Sequence, residues 1–299
     1  MAFLILSILM NVGIFTAFRL YPRYGIDTFQ AIVINYVVCV ITGVIFVGNV
    51  TSFQSITFTE PWLVISLFLV GVFVVGFYLT AITTQRFSMT VSSVASKISM
   101  AIPVLFALFI FDIESKIFDV WNFLGLFMAL AAIYLTSFKS KTILQTKNVS
   151  GLLFLLPVSV FLIGGAIDTT INYTNYMYLT KAEEAIFPVF VFLSAAIFGI
   201  ILISFKGYRF RKKNLKGGII LGVINYFSLY FLVRALSAFK NDGAMVYPIL
   251  NMGIIMLSAM VSVLFFHEKM ERRNKLGLII SFLAIFLISY QELLIIFNF

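Results

Sequence analysis

Ten apolar stretches, each long enough to cross a bilayer, fill almost the whole of this chain. They run at about 2–19, 28–48, 62–84, 88–111, 118–137, 151–173, 184–205, 216–236, 242–266 and 274–296. A hydrocarbon core needs roughly 20 apolar residues per helix. Little of the 299-residue sequence is then left for a soluble domain. Charged residues make up 11% of the chain, against about 25% in soluble domains. Lipid gives backbone N–H and C=O groups no partners, so only helices or a closed β-barrel can span it. Barrel strands alternate polar and apolar side chains over about ten residues. ISLFLVGVFVVGFYL at 65–79 and LGLIISFLAIFLISY at 276–290 are too continuously apolar for that. The expected fold class is all-α, an integral membrane bundle of ten transmembrane helices.

The first span has no basic segment before it and no small-residue cleavage site after it, so it reads as a retained helix. The single cysteine, Cys39, lies inside an apolar span and leaves no disulfide framework. The single histidine, His267, cannot build a multi-histidine metal site. No cofactor or metal is expected.

Charge sets the orientation. With the gaps numbered from the N-terminus and helix-end residues counted with the nearest gap, sixteen of the 21 Lys and Arg fall in odd gaps and four in even ones. The remaining one, Lys97, lies within a span. Basic residues in short loops favour the cytoplasm. The odd gaps are therefore expected inside and both termini outside. The net charge of +9 needs no nucleic-acid partner, and RFRKK at 209–213 reads as a topology anchor beside anionic lipid.

The two halves echo each other. Both the fourth–fifth and the ninth–tenth spans have a long apolar helix, an acidic residue past its end, a short charged turn and Leu-Gly-Leu opening the next helix. Aligning Glu114 with Glu268 places Lys97 opposite Asn251. With five helices per half, the repeat must be inverted across the membrane. Inverted repeats recur in secondary transporters, with the substrate path at their interface.

At this point the chain resembles a ten-helix member of the drug/metabolite transporter superfamily of the EamA type. The resemblance spans essentially the whole chain as two EamA-like units, 1–143 and 144–299. It is carried by the small and polar fourth helix with Pro103, then Glu114; by Pro248 in the ninth helix; and by FHEK at 266–269 followed by Leu276-Gly277. The chain departs from the family in having FDIE where a Gly-Glu pair is usual, and His267 where the second half would have glycine. The first helix also lacks the Trp-Gly pair often found there. The resemblance implies movement of small metabolites, amino acids, sugars or drugs across the bacterial cell membrane without ATP hydrolysis.

Polar residues inside the spans are the candidate site. Lys97 lies deep in the fourth span, where a charge is costly unless paired or hydrated. It reads as an anchor for an anionic or zwitterionic substrate, as a lysine locked to Asn or carbonyls, or as a snorkelling side chain. Asp168 reads as a carrier of a coupling proton or Na⁺, or as a salt bridge to Arg234. Rise per residue places it roughly 10 Å further out than Lys97. Asn11, Tyr78, Ser93, Asn225, Tyr226, Tyr230 and Asn251 complete the expected substrate-binding set. The alternative reading is that they glue helices or mark interfaces. Pro103 and Pro248 are expected to kink or loosen their helices.

No enzymatic activity is expected: the single His is in a loop, and no GxxxxGK phosphate loop is present. The expected function is secondary transport of a small, amino-acid-like organic metabolite. An exporter of drugs or toxic metabolites, a channel and a structural membrane protein are the alternatives. The orientation is directly testable. In a background without Cys39, cysteines at Ser140 or Gly207 should resist an impermeant thiol reagent outside intact cells, whereas cysteines at Ser52 or Thr180 should label.

Overall fold

A computed structural model describes residues 2–48, 59–103, 106, 119–137, 151–181, 183–206, 211–239, 243–291 and 294. Among them are ten α-helices: α1 Ala2–Leu20, α2 Thr28–Val47, α3 Pro61–Arg86, α4 Met89–Ile98, α5 Val120–Thr136, α6 Leu155–Met177, α7 Phe187–Lys206, α8 Lys212–Ala238, α9 Gly243–Leu264 and α10 Arg272–Ile288. A 3₁₀ turn, Gly151–Phe154, precedes α6. Seven of these are long and apolar enough to cross a membrane: α1, α2, α3, α6, α7, α8 and α9. α5 and α10 have 17 residues each and α4 only 10. Much of the expected fourth span beyond Pro103, Glu114 and its turn, and the end of the tenth span lie outside the described residues.

Many large apolar side chains face outward while amides are buried between the helices. Phe68, Phe127, Phe205 and Leu264 are exposed, while Asn35, Asn122, Asn214, Asn225 and Asn251 are buried. That is the arrangement expected when the outer solvent is hydrocarbon and polar groups are used between helices.

Packing divides the chain differently from the halves 1–143 and 144–299. One compact unit takes residues 1–81 and 170–241, the other 82–169 and 242–299. In the first, α2 packs on α7 and α8, and α1 packs on α8. In the second, α5 packs on α10, α4 on α9, and α4 also on α5 and α10.

The tightest contact of the second unit is α5 against α10. Asn122 occupies the third position of α5 and donates from Nδ2 to the carbonyls of Leu287 and Ile288, each at 3.0 Å, at the end of α10. Asn274 occupies the third position of α10 and donates to Thr136 at 2.7 Å, at the end of α5. The two helices are therefore antiparallel, and each one's N-terminal asparagine satisfies carbonyls that the other's last turn leaves open. Each asparagine also accepts, through Oδ1, the N–H of its own helix cap: Asp119 at 3.0 Å and Glu271 at 3.2 Å. One turn further in, a Cβ on Gly125 would stand 2.9 Å from the Ile288 nitrogen, and one on Gly277 would stand 2.7 Å from the Thr136 nitrogen. Only glycine permits that approach.

His267, in the turn between α9 and α10, adopts φ +52°, a left-handed conformation that glycine takes more readily. This is the position at which the family resemblance would place glycine.

Removing either asparagine leaves helix-end carbonyls without a partner. Asn122→Ala and Asn274→Ala should each lower stability by about 1–3 kcal/mol. Asn11→Ala, which loses a contact within its own helix to the Ser7 carbonyl, should cost less than about 0.5 kcal/mol. Thermal unfolding in one detergent compares the three.

Candidate functional site

A proline cuts α4 short. Ser88 caps the start of the helix, accepting the Val91 N–H at 3.1 Å. At its end, Pro103 has no N–H to give the Ser99 carbonyl four residues back. The Ile102 N–H bonds that carbonyl instead, at 2.9 Å. Residues 99 and 100 form a turn, and helical backbone resumes at 101–103. The expected continuous fourth helix is thus interrupted two residues after Lys97. The Ser99 hydroxyl donates to the Ser96 carbonyl, which helps close the broken end. α9, by contrast, stays helical through Pro248, so the two prolines do not have the same effect.

α6 lies against this break. A Cβ on Gly164 would stand 3.0 Å from Ser99 Oγ, and one on Gly165 would stand 2.3 Å from Ile102 Cδ1. The approach brings Asp168, one turn later on α6, to Ser99, with Oγ to Oδ2 at 3.4 Å. Lys97 and Asp168 interact electrostatically. Both are half-buried. From α9, Tyr247 donates its hydroxyl to the Asp168 carbonyl at 3.3 Å. Asn251 is one turn further along α9, on the same face as Tyr247. It is fully buried, and neither atom of its amide finds a hydrogen-bond partner among the described residues. Ser93 is buried on α4 and donates to the Thr90 carbonyl within its own helix. The second unit therefore holds an ammonium, a carboxylate and an unsatisfied amide around a broken helix end.

The other expected residues lie in the first unit. Asn225 is buried between α8 and α2, donating to Asn35 Oδ1 at 3.1 Å. Cys39 donates to the Gly222 carbonyl at 3.1 Å in the same seam. Tyr226 is buried and donates to the Ala185 carbonyl at 3.1 Å, while its ring stacks on Tyr230 with centroids 6.2 Å apart. Tyr78 is partly exposed and meets Phe29 edge-on. Asn11 bonds the Ser7 carbonyl of its own helix. Asn225 and Tyr226 thus spend their polar groups on holding helices together. Arg234 pairs with Glu184 at 3.0 Å, not with Asp168, and its guanidinium lies over the Phe3 ring. Glu183 accepts from Trp62 Nε1 at 3.0 Å.

Sequence reasoning missed Ser99 and Tyr247. The spacing of four between Tyr247 and Asn251 was the available signal for the second. Among the described residues, no group of three or more His, Cys, Asp or Glu could hold a metal.

No protein-family profile matches the chain. A Haemophilus influenzae (strain ATCC 51907 / DSM 11121 / KW20 / Rd) protein, described as uncharacterized, is 27% identical over 308 aligned positions, covering 98% of this chain and 99% of its own. A solved protein crystal structure superposes with a TM-score of 0.61 over 97% of this chain and 98% of the other, at 10% identity. That likeness is one of fold alone. The chain is a multi-pass, largely helical membrane protein.

The close approach of α6 to α4 gives a test of how the charges are brought together. Gly165→Leu should overpack Ile102 and cost about 1–3 kcal/mol. Adding Ile102→Ala should recover part of that loss, read as the unfolding midpoint of the single and double variants.

Proposed function

We propose that the protein is a gradient-driven secondary transporter of the EamA type, within the drug/metabolite transporter superfamily. Its two inverted five-helix repeats would sit in the bacterial cytoplasmic membrane with both termini outside. Its substrate is a small organic metabolite bearing a carboxylate, and an α-amino-acid-like zwitterion fits the charges best. The observation that supports this reading is the contact of Ser99, two residues after Lys97 at the broken end of α4, with Asp168 at 3.4 Å, beside the electrostatic interaction of Asp168 with Lys97.

The chemistry rests on the capacities of each group. Charges held within a membrane protein are costly and are retained where they serve a path or a partner. Without substrate, Lys97 and Asp168 offset one another. A zwitterion inserted between them gives its carboxylate to the ammonium and its own ammonium to the carboxylate, so neither protein charge loses a partner. The free amide of Asn251, which has both a donor and an acceptor, adds directed hydrogen bonds. Asp168 is also the group able to carry a coupling proton or Na⁺ when the substrate is anionic. The antiparallel α5–α10 pair, with matching asparagines and glycines, supports the inverted-repeat reading. Residues 265–271, which include FHEK, form the turn between α9 and α10. Transport rather than catalysis suits a site with no activated nucleophile among these groups.

Lys97→Met keeps much of the side chain's apolar bulk and removes its charge. In proteoliposomes containing folded protein, uptake of carboxylate-bearing substrates should fall at least tenfold, the scale of roughly 1.4 kcal/mol. Asp168→Asn should remove dependence on an imposed proton or Na⁺ gradient and weaken zwitterions more than simple anions. Unchanged uptake of every transported carboxylate by Lys97→Met would leave Lys97 with a packing role only.

A further inference from the structure

Two stretches almost 190 residues apart are clasped together at one end of the first packing unit. The turn between α1 and α2 lies on the first two turns of α8. Tyr21 donates its hydroxyl to the Gly217 carbonyl at 3.0 Å, and burial pushes that phenol above its ordinary pKa, so it stays a neutral donor. The Asp27 N–H is accepted by Asn214 Oδ1 at 2.9 Å, and Asn214 Nδ2 donates to Gln30 at 2.8 Å. Gly25 sits at φ +57°, and a Cβ there would stand 2.8 Å from Lys213 Nζ, so that lysine reaches the turn. The clasp brings the turn that carries Arg23 to the start of α8, which carries Arg211, Lys212, Lys213 and Lys216, and all five are exposed.

Nothing nearby in sequence offsets them. Across 1–48 and 187–239, which include α1, α2, α7 and α8, the sole acidic residue is Asp27. Its carboxylate accepts the Gln30 N–H as the cap of α2. α8 begins on Arg211 with no side-chain cap and no acidic residue in its first turn, so its N–H groups and partial positive charge add to the cluster. Directly along α8 from Lys212 and Lys216 runs an exposed apolar stripe, Leu215, Ile219 and Val223, at a spacing of four.

We propose that this corner is a binding site for an anionic phospholipid. The headgroup phosphate sits among Lys212, Lys216 and Arg23, and an acyl chain runs down the stripe. Charge complementarity selects the anionic headgroup. The apolar stripe selects a lipid over a free phosphate, which has no chain to lay there. A simple topology anchor needs only basic residues near a membrane end. The hydrogen-bonded clasp instead ties the turn that carries Arg23 to the helix start that carries the lysines.

The test uses the full chain in detergent, titrated with dioleoyl phosphatidylglycerol or dioleoyl phosphatidylcholine and read by native mass spectrometry and thermal unfolding. Wild type should retain phosphatidylglycerol preferentially and unfold at a higher temperature with it. The variant Arg23→Gln/Lys212→Gln/Lys216→Gln should lose about tenfold or more in phosphatidylglycerol affinity, with its phosphatidylcholine response unchanged. A matched variant of the α9–α10 turn, Lys269→Gln/Arg272→Gln/Lys275→Gln, should keep the wild-type affinity. Equal losses in both variants would mean diffuse attraction and overturn the site. Displacement of the lipid by millimolar inorganic phosphate would overturn the lipid assignment. Should the triple variant not fold, Lys216→Gln alone carries the test, and full retention of phosphatidylglycerol affinity by it sinks the proposal.

Discussion

A carbonyl in hydrocarbon has nothing to bond to unless the protein supplies a donor, and this constraint organises the structure from helix interiors to helix ends. Interior groups are satisfied by the helices themselves. The ends need other partners, and the α5–α10 pair shows how they are found. Asn122 and Asn274 each donate to the last carbonyls of the opposite helix while accepting the cap N–H of their own. Two side chains thereby serve four helix ends. The glycines one turn inward answer the same requirement, because an asparagine reaches the neighbouring helix end only if the backbones come close.

The constraint also separates packing polarity from available polarity. Asn225 donates to Asn35 Oδ1 between α2 and α8, Asn35 donates to the Ile32 carbonyl, and Tyr226 ends on a carbonyl. These groups are spent. Around the end of α4 the situation differs: Pro103 removes a donor, the helix breaks, and polar groups collect at the break. Asn251 is fully buried, and its amide finds no partner among the described residues. A buried amide without a partner costs about 1–3 kcal/mol, a cost that a structural seam such as Asn35–Asn225 avoids.

Hydropathy made the helices legible, because span length in lipid is a hard requirement and loop charge marks their ends. The ten described helices fall within the ten expected spans or within a few residues of them, though seven rather than ten meet the length for crossing. The short α4 was not legible. Pro103 signalled a kink, but nothing local said that Ile102 would take the carbonyl proline leaves open while Pro248 left α9 helical. Lys97 and Asp168 stood out individually as charges inside apolar runs. Their proximity depended on Gly164 and Gly165 finding Ser99 and Ile102 on another helix, a tertiary match that no periodicity encodes. Asn225 and Asn251 look alike in sequence, both isolated amides in apolar helices; only the partner across the seam distinguishes them.

His267 shows how the needs of helix ends reach into a turn. It adopts a left-handed conformation that glycine takes more readily. The turn is tied on its far side: the Glu268 N–H bonds the Ser262 carbonyl at 3.1 Å, and the Ser262 hydroxyl donates to the Glu268 carboxylate. Those bonds fix the path of the chain as α9 gives way to α10, and the left-handed residue is the consequence. The turn must be tight because Asn274, three residues after the Glu271 cap, has to arrive beside Thr136. The requirement that every helix end find a donor thus propagates back through the turn and sets the backbone of a residue that makes none of those contacts itself.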